Sequence, residues 1–213
     1  MKHRGLIFCG DLVPGVMAGT VTVTSRVIKP QPDGMCQDEP YWHVGGYRLR
    51  ESALNPLPCR FRVGEKRYVK ETWGAPYSDH PRCPDGKKPA PGEKIVYRAE
   101  GADDYQWSGC SGFAWRSPLF MPKWAARSWI EITGVKPARC QDITEEEVIA
   151  SGCRPFDREM LSAAPTGIGH YMILWDELNA RRGFPWSGNA HVWRLTFKLC
   201  EAPKKTEMTS EKV

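Results

Sequence analysis

Between Trp193 and Leu199 the chain alternates without a fault: Trp193, Leu195, Phe197 and Leu199 are apolar, and Arg194, Thr196 and Lys198 between them are polar. A period of two puts the first set on one face of a β-strand and the second on the other, so the segment predicts a strand with Trp193, Leu195, Phe197 and Leu199 inward. A helix cannot satisfy this pattern, because at 3.6 residues per turn the same apolar residues would point all round its axis. A second alternating run lies near the start. From Thr20, the residues Thr20, Thr22, Thr24 and Arg26 fall on one face and Val21, Val23, Ser25 and Val27 on the other. The polar face reads equally as a binding surface and as an exposed face that uses threonine for its β-propensity.

Shorter segments complete an α+β plan. Leu6-Ile7-Phe8-Cys9 predicts a short buried strand. A helix follows, with Asp11 as its cap, Pro14 in its first turn and Gly19 closing it after Ala18. Further strands are predicted over 66–72, 94–99 and 128–133. Thr144-Glu145-Glu146-Glu147 is a capping box, and the helix it opens ends at Gly152. Another helix is expected over 170–182, with Met172, Trp175 and Leu178 as its inward stripe and Gly183 as its stop. Trp73, Trp124, Trp175 and Trp193 are assigned to the core, where large aromatics dominate packing. Residues from about 31 to 60 and from 74 to 94 are punctuated by Pro and Gly and read as two loop-rich insertions. The expected organisation is one domain over 1–202 with a mobile polar tail over 203–213.

Composition narrows the function classes. A chain of 213 residues with nine Trp and 41% apolar residues can bury a core and is too apolar for a disordered protein. Its net charge of +5 favours an anionic partner, although no dense Lys/Arg block stands out. The apolar run Leu6 to Cys9 is too short for a signal segment or a membrane span, so the reading is a cytoplasmic protein with no membrane partner. Eight cysteines are spread through the chain without any C-x-x-C, which favours reduced thiols over a disulfide scaffold. His80 and Cys83 are the nearest approach to metal-ligand spacing, and with Cys36, Cys59 or Cys110 they could surround a zinc ion. No metal and no other cofactor is expected.

Six separated pieces, in order, carry a resemblance: Leu6 to Gly10; Gly19 to Arg26; Val69 to Trp73; Met121 to Arg127; Asp142 to Glu146; and Phe184-Pro185-Trp186 with Val192-Trp193. Together they resemble the ASCH-domain proteins of phages and prophages, a branch of the PUA-like superfamily. The resemblance implies a small, curved β-barrel with short flanking helices and a cleft beside the first helix that takes a nucleobase or RNA. The family signature reads Gly-x-Lys-x-x-(Thr or Glu)-x-Arg. Some bacterial members are similar to acetylcytidine amidohydrolase, which uses the Lys, the Thr and a downstream Glu to remove an acyl group from cytidine.

Carried over position by position, Gly19, Thr24 and Arg26 match, but the Lys position holds Val21 and the Glu position, ahead of Gly152, holds Ser151. Phe120 stands where phage relatives have His. Valine cannot carry charge or transfer a proton, so the inherited hydrolysis is not expected. The expectation is a non-catalytic protein that binds nucleic acid, RNA ahead of DNA, or a modified nucleoside, in the cytoplasm of the host. Gly19, Thr22, Thr24, Arg26, Glu71, Lys123 and Arg127 would line the cleft and Trp186 would stack on a base; read on their own, Glu71 and Arg127 are a structural pair or solvated residues. Two alternatives stay open. One is an amidohydrolase acting on acylated cytidine with a relocated set, Thr24 with Glu147 or Glu71. The other is a phage protein that binds a host protein through its insertions.

Overall fold

The structure, a computed structural model, describes residues 4–36, 39–44, 47–50, 59–76, 91–92, 95–100, 113–153 and 167–203. It is mixed α+β, as expected, and the described strands form three sheets. The largest has five strands in the order β1 (Gly5–Ile7), β6 (Lys66–Lys70), β10 (Trp129–Arg139), β11 (His191–Cys200) and β2 (Val23–Val27). The chain divides into two compact units, one of residues 1–19, 66–131 and 199–213 and the other of 20–65 and 132–198. Among the described residues no helix is long and apolar enough to cross a membrane.

In the first unit, β1 (Gly5–Ile7) lies parallel to β6 (Lys66–Lys70), with Gly5 opposite Tyr68 and Ile7 opposite Lys70. The other edge of β6 pairs antiparallel with the start of β10 (Trp129–Arg139). Between β1 and the first helix, α1 (Val13–Met17), Gly10–Leu12 form a 3-10 turn. Asp11 lies inside that turn rather than before the helix, so it does not cap α1, whose N-cap is Leu12 with no side-chain bond. Pro14 enters in the first turn, and Gly19 follows at φ +72°, the left-handed conformation that glycine adopts without strain. A second sheet centres on β7 (Trp73–Pro76), flanked by the antiparallel strands β8 (Val96–Tyr97) and β9 (Phe113–Arg116). Trp73, Met121 and Ala125 form its small core, with Ile95, Tyr97 and Ala126 packed around them.

In the second unit, β2 (Val23–Val27) pairs antiparallel with β11 (His191–Cys200), Thr24 opposite Leu195 and Arg26 opposite Trp193. Past the end of β2 the side-chain amide of Gln31 continues the ladder. Its Oε1 accepts from the His191 N–H at 2.7 Å, and its Nε2 donates to the carbonyls of His191 and Ile28 at 3.0 and 2.6 Å. β10 also neighbours β11 and runs past the predicted end at Thr133. Gly134, which reads as a breaker, is glycine because a Cβ there would run into the Thr196 hydroxyl.

The region expected to be a loop-rich insertion contains an antiparallel meander of β3 (Gly34–Cys36), β4 (Glu39–Val44) and β5 (Tyr47–Arg50). Val44 pairs with Tyr47, and the two intervening residues, Gly45 and Gly46, have the composition favoured between hairpin strands. Most of the second insertion lies outside the described residues, although β7 carries the strand to Pro76 at its start. His80 and Cys83 also lie outside them. No group of metal-binding side chains occurs among the described residues.

Two helices pack on each other in this unit. The expected capping box opens α2 (Glu145–Ala150), Thr144 accepting from Glu147 N–H while Glu147 accepts from Thr144 N–H. The next helix, α3 (Gly167–Asn179), starts three residues earlier than predicted and gives way to a 3-10 turn at Ala180–Arg182 before Gly183. Its buried residues are Gly167, Tyr171 and Trp175. Met172 and Leu178 are exposed, so the inward stripe runs at i, i+4, i+8 and shares only Trp175 with the expected one. Tyr171 and Trp175 join Cys140, Ile143, Val148, Cys153 and Val192 in the core of this unit.

β11 departs from simple alternation. His191 through Leu195 are all buried, Arg194 included at 3% exposure, whereas Leu199 is exposed. Period two identifies a buried face only where one face meets water, and here elements cover both faces of the first half of the strand.

Candidate functional site

The expected cleft residues fall in both units. Thr22, Thr24, Arg26, Glu147, Ser151 and Trp186 belong to the second, and Gly19, Glu71, Phe120, Lys123 and Arg127 to the first.

On the second unit, Val21 and Val23 are buried and Thr22, Thr24 and Arg26 are half-buried, but Ser25 and Val27 are half-buried too, so burial alternates only over residues 21–24. Thr22 is tied down through its main chain, its N–H donating to Ala150 O at 2.8 Å and its carbonyl accepting from Phe197 N–H at 2.8 Å. The two carboxyl-end candidates have structural partners. Ser151 is buried and its hydroxyl donates to Val148 O at 2.7 Å, an i−3 bond that closes the last turn of α2. Glu147 Oε2 accepts from the Thr144 N–H and from Arg194 Nη1, the latter at 2.8 Å. Arg194 Nη1 also donates to Asp142 O at 2.9 Å and Nη2 to Arg139 O and Cys140 O at 3.1 and 3.4 Å, while its buried Nε has no partner among the described residues. The guanidinium therefore binds the turn that leads into α2 to the strand beneath it.

Trp186, expected to stack on a base, packs on the core of the second unit, edge-on to Tyr171 with ring centroids 6.0 Å apart. Its N–H donates to Asp176 Oδ1 at 2.6 Å and its carbonyl accepts from Gln141 Nε2 at 2.8 Å. Burial raises the pKa of the neighbouring thiols of Cys140 and Cys153. With Cys9, Cys59 and Cys200 they are free cysteines.

The first unit brings Glu71 and Arg127 together. Glu71 follows β6 and is fully buried, and Arg127 meets it side-on, Nε to Oε1 and Nη2 to Oε2, both at 2.8 Å. A bidentate fork of this kind satisfies both carboxylate oxygens at once. The remaining Nη1 of Arg127 donates to Glu100, whose side chain is 55% exposed. The guanidinium also lies 4.2 Å from the centroid of the Tyr97 ring, and the Tyr97 hydroxyl donates to Ala125 O at 2.7 Å. Burial alone would lower the Arg127 pKa, but the hydrogen bond and charge of Glu71 outweigh it and the net shift is upward. Tyr97 shifts upward as well, first through burial. Sequence reasoning missed Tyr97 and Glu100, because nothing local links residues so far from Arg127 in the chain.

Beside this network the chain makes two successive 3-10 turns, Pro118–Phe120 and Lys123–Ala125, the first capped by the Ser117 hydroxyl. They repeat one four-residue pattern, Pro-x-aromatic-apolar: Pro118-Leu119-Phe120-Met121, then Pro122-Lys123-Trp124-Ala125. In each, the fourth residue is buried, Met121 and Ala125 alike, and the aromatic is turned outward. Phe120 is 67% exposed and Trp124 40%. Trp124 is therefore not the core residue expected from its type. It meets the buried Trp73 edge to face at 6.1 Å and keeps part of its surface in solvent. Lys123 lies over the Trp129 ring at 5.2 Å, and Lys70 donates from Nζ to Leu119 O at 2.6 Å. Partial burial lowers the Lys70 pKa. The signal for this surface was the recurrence of proline four residues apart, each two residues before an aromatic.

In comparisons with protein families, with curated proteins and with solved structures, the chain matches none.

Proposed function

We propose that this protein is an ASCH-type, PUA-like phage protein, its barrel built on the five-stranded sheet, that binds nucleic acid or a nucleobase-like ligand without hydrolysing it. The observation that carries this reading is the engagement of both candidate carboxylates: Glu71 by the bidentate fork of Arg127, and Glu147 by Arg194 and its own helix cap. A general base must be within reach of the proton it abstracts; both Glu71 oxygens are held by Arg127, and Glu147 Oε2 accepts from Arg194 and from the N–H that it caps, so each carboxylate serves structure first. Val21 is buried and the Ser151 hydroxyl is spent on Val148, so neither supplies the missing groups. The basic excess and the outward aromatics of the first unit support binding, with RNA ahead of DNA.

The test is a titration of labelled single-stranded RNA, the matching DNA and a set of modified nucleosides at low salt, repeated at higher salt. Binding that weakens as salt rises is expected, because phosphate contacts release counterions. In parallel, acylated cytidines are incubated with the protein and cytidine is followed by chromatography. Absence of any binding at low salt, or release of cytidine above buffer, overturns the reading.

A further inference from the structure

The tandem Pro-x-aromatic-apolar turn is the one place among the described residues where two aromatic side chains are presented outward by the same local device. Aromatic rings are normally the most rewarding residues to bury, yet in both turns the fully buried residue is the smaller or more flexible neighbour, Met121 or Ala125, while Phe120 stands largely in solvent and Trp124 partly so. The backbone is not free to withdraw them. Each turn is closed by main-chain bonds, Phe120 N–H to Ser117 O and Met121 N–H to Pro118 O, then Ala125 N–H to Pro122 O and Ala126 N–H to Lys123 O. The buried fourth residues anchor both turns to Trp73.

The segment itself is basic, and with Arg127 taken up by Glu71 and Glu100 the cations left beside the turns are lysines. From Phe113 to Ile130 the chain carries Arg116, Lys123 and Arg127 and no Asp or Glu. Lys70 reaches the same segment through Leu119 O. Four residues of chain separate the two rings, so their Cα atoms lie no more than about 14 Å apart.

Given the nucleic-acid reading above, on which this rests, we infer that single-stranded nucleic acid binds on the Pro118–Ala125 turns, with bases stacked on Phe120 and Trp124 and phosphates near Lys123 and Lys70. Stacking tolerates any base, because every base has a π-face, but it requires bases free of a duplex. An acidic protein partner would satisfy the lysines but leave the rings without planar partners. A lipid surface asks for a wider apolar face than two rings and one leucine.

The experiment compares the full chain with Phe120→Ala, Lys123→Gln and Trp124→Phe by fluorescence anisotropy on single-stranded oligouridine, oligothymidine and an RNA duplex of equal length. Phe120→Ala is the principal variant because its ring is largely in solvent, and melting curves check that each variant keeps the parent's transition. The expected result is single strands bound at least tenfold more tightly than duplex, with Phe120→Ala weakening them about 5- to 100-fold. Lys123→Gln should lower the salt slope by about one phosphate contact. If the parent binds single strands and Phe120→Ala binds them equally well, the stacking surface is refuted while the nucleic-acid reading stands. Equal affinity for duplex refutes it in the same way. If no oligonucleotide binds and vesicles containing phosphatidylserine do, both fail.

Discussion

Replacing Arg194 by Met tests whether Glu147 is held for structure. The substitution keeps a long apolar stem in a site that is 3% exposed and removes the donors that serve Glu147 Oε2 and the carbonyls of Asp142, Arg139 and Cys140. A lost hydrogen bond costs about 1 kcal/mol, and stranding the partner of a buried ion pair raises the total to roughly 3–5 kcal/mol. The Glu147 side chain is 29% exposed, so water recovers part of its solvation and the lower end applies, about 3 kcal/mol. For a chain of this length that corresponds to a fall in Tm of roughly 6–12 °C. Urea denaturation followed by far-ultraviolet circular dichroism measures it. A double-mutant cycle with Glu147→Gln should return a coupling of about 1 kcal/mol or more, because the two groups touch. A loss below about 1 kcal/mol with no coupling would refute the structural account and return Glu147 to the list of groups available for chemistry.

Two further outcomes follow from the same geometry. Burial, helped by the Arg139 charge and opposed by Asp142, holds the His191 imidazole below its ordinary pKa. The unfolded chain then binds the proton first, so stability is full above about pH 6.5 and declines as the pH falls below it. Denaturant midpoints at pH 7.5 and 5.5 should differ less in His191→Gln than in the parent, and an unchanged difference would exclude His191 as the source. Restoring the motif cation by Val21→Lys places an ammonium where Val21 is buried. It should cost roughly 2–4 kcal/mol without producing deacylation of acylated cytidine. A stable variant with turnover would show that the fold is catalytically competent after all.

What was legible in the sequence was local. Thr144 and Glu147 announce their capping box within four residues, and Gly183 stops its helix at a left-handed φ of 85°. The meander at β3 to β5 was misread because prolines and the Gly45-Gly46 pair dominate the eye. Tyr41-Trp42-His43-Val44 and Tyr47 beside that pair carried the strand signal. Arg194 was placed outward because alternation says which face a residue is on and nothing about what lies over that face. The pairing of Glu71 with Arg127 was among the readings of those residues, whereas its bidentate geometry and the addition of Glu100 depend on strands that bring distant residues together. Trp124 was misplaced by its type, since the smaller Ala125 beside it takes the core position.

The amide of Gln31 has a consequence for how β2 finds its place. A slip of one residue against β11 would turn Val23 and Val27 to the wrong face and is rejected by burial alone, whereas a slip of two keeps every side chain on its proper face. Hydrophobic patterning is blind to that second error. Gln31 adds to the choice, because its two hydrogen bonds to the His191 main chain are made in the register in which the Ile28 N–H donates to His191 O, whereas its third, to Ile28 O, is local. At about 1 kcal/mol each, those two favour the observed pairing over one that leaves the amide unpaired by roughly 30-fold. A single polar side chain just past the end of the strand thus helps to set the pairing for the whole edge.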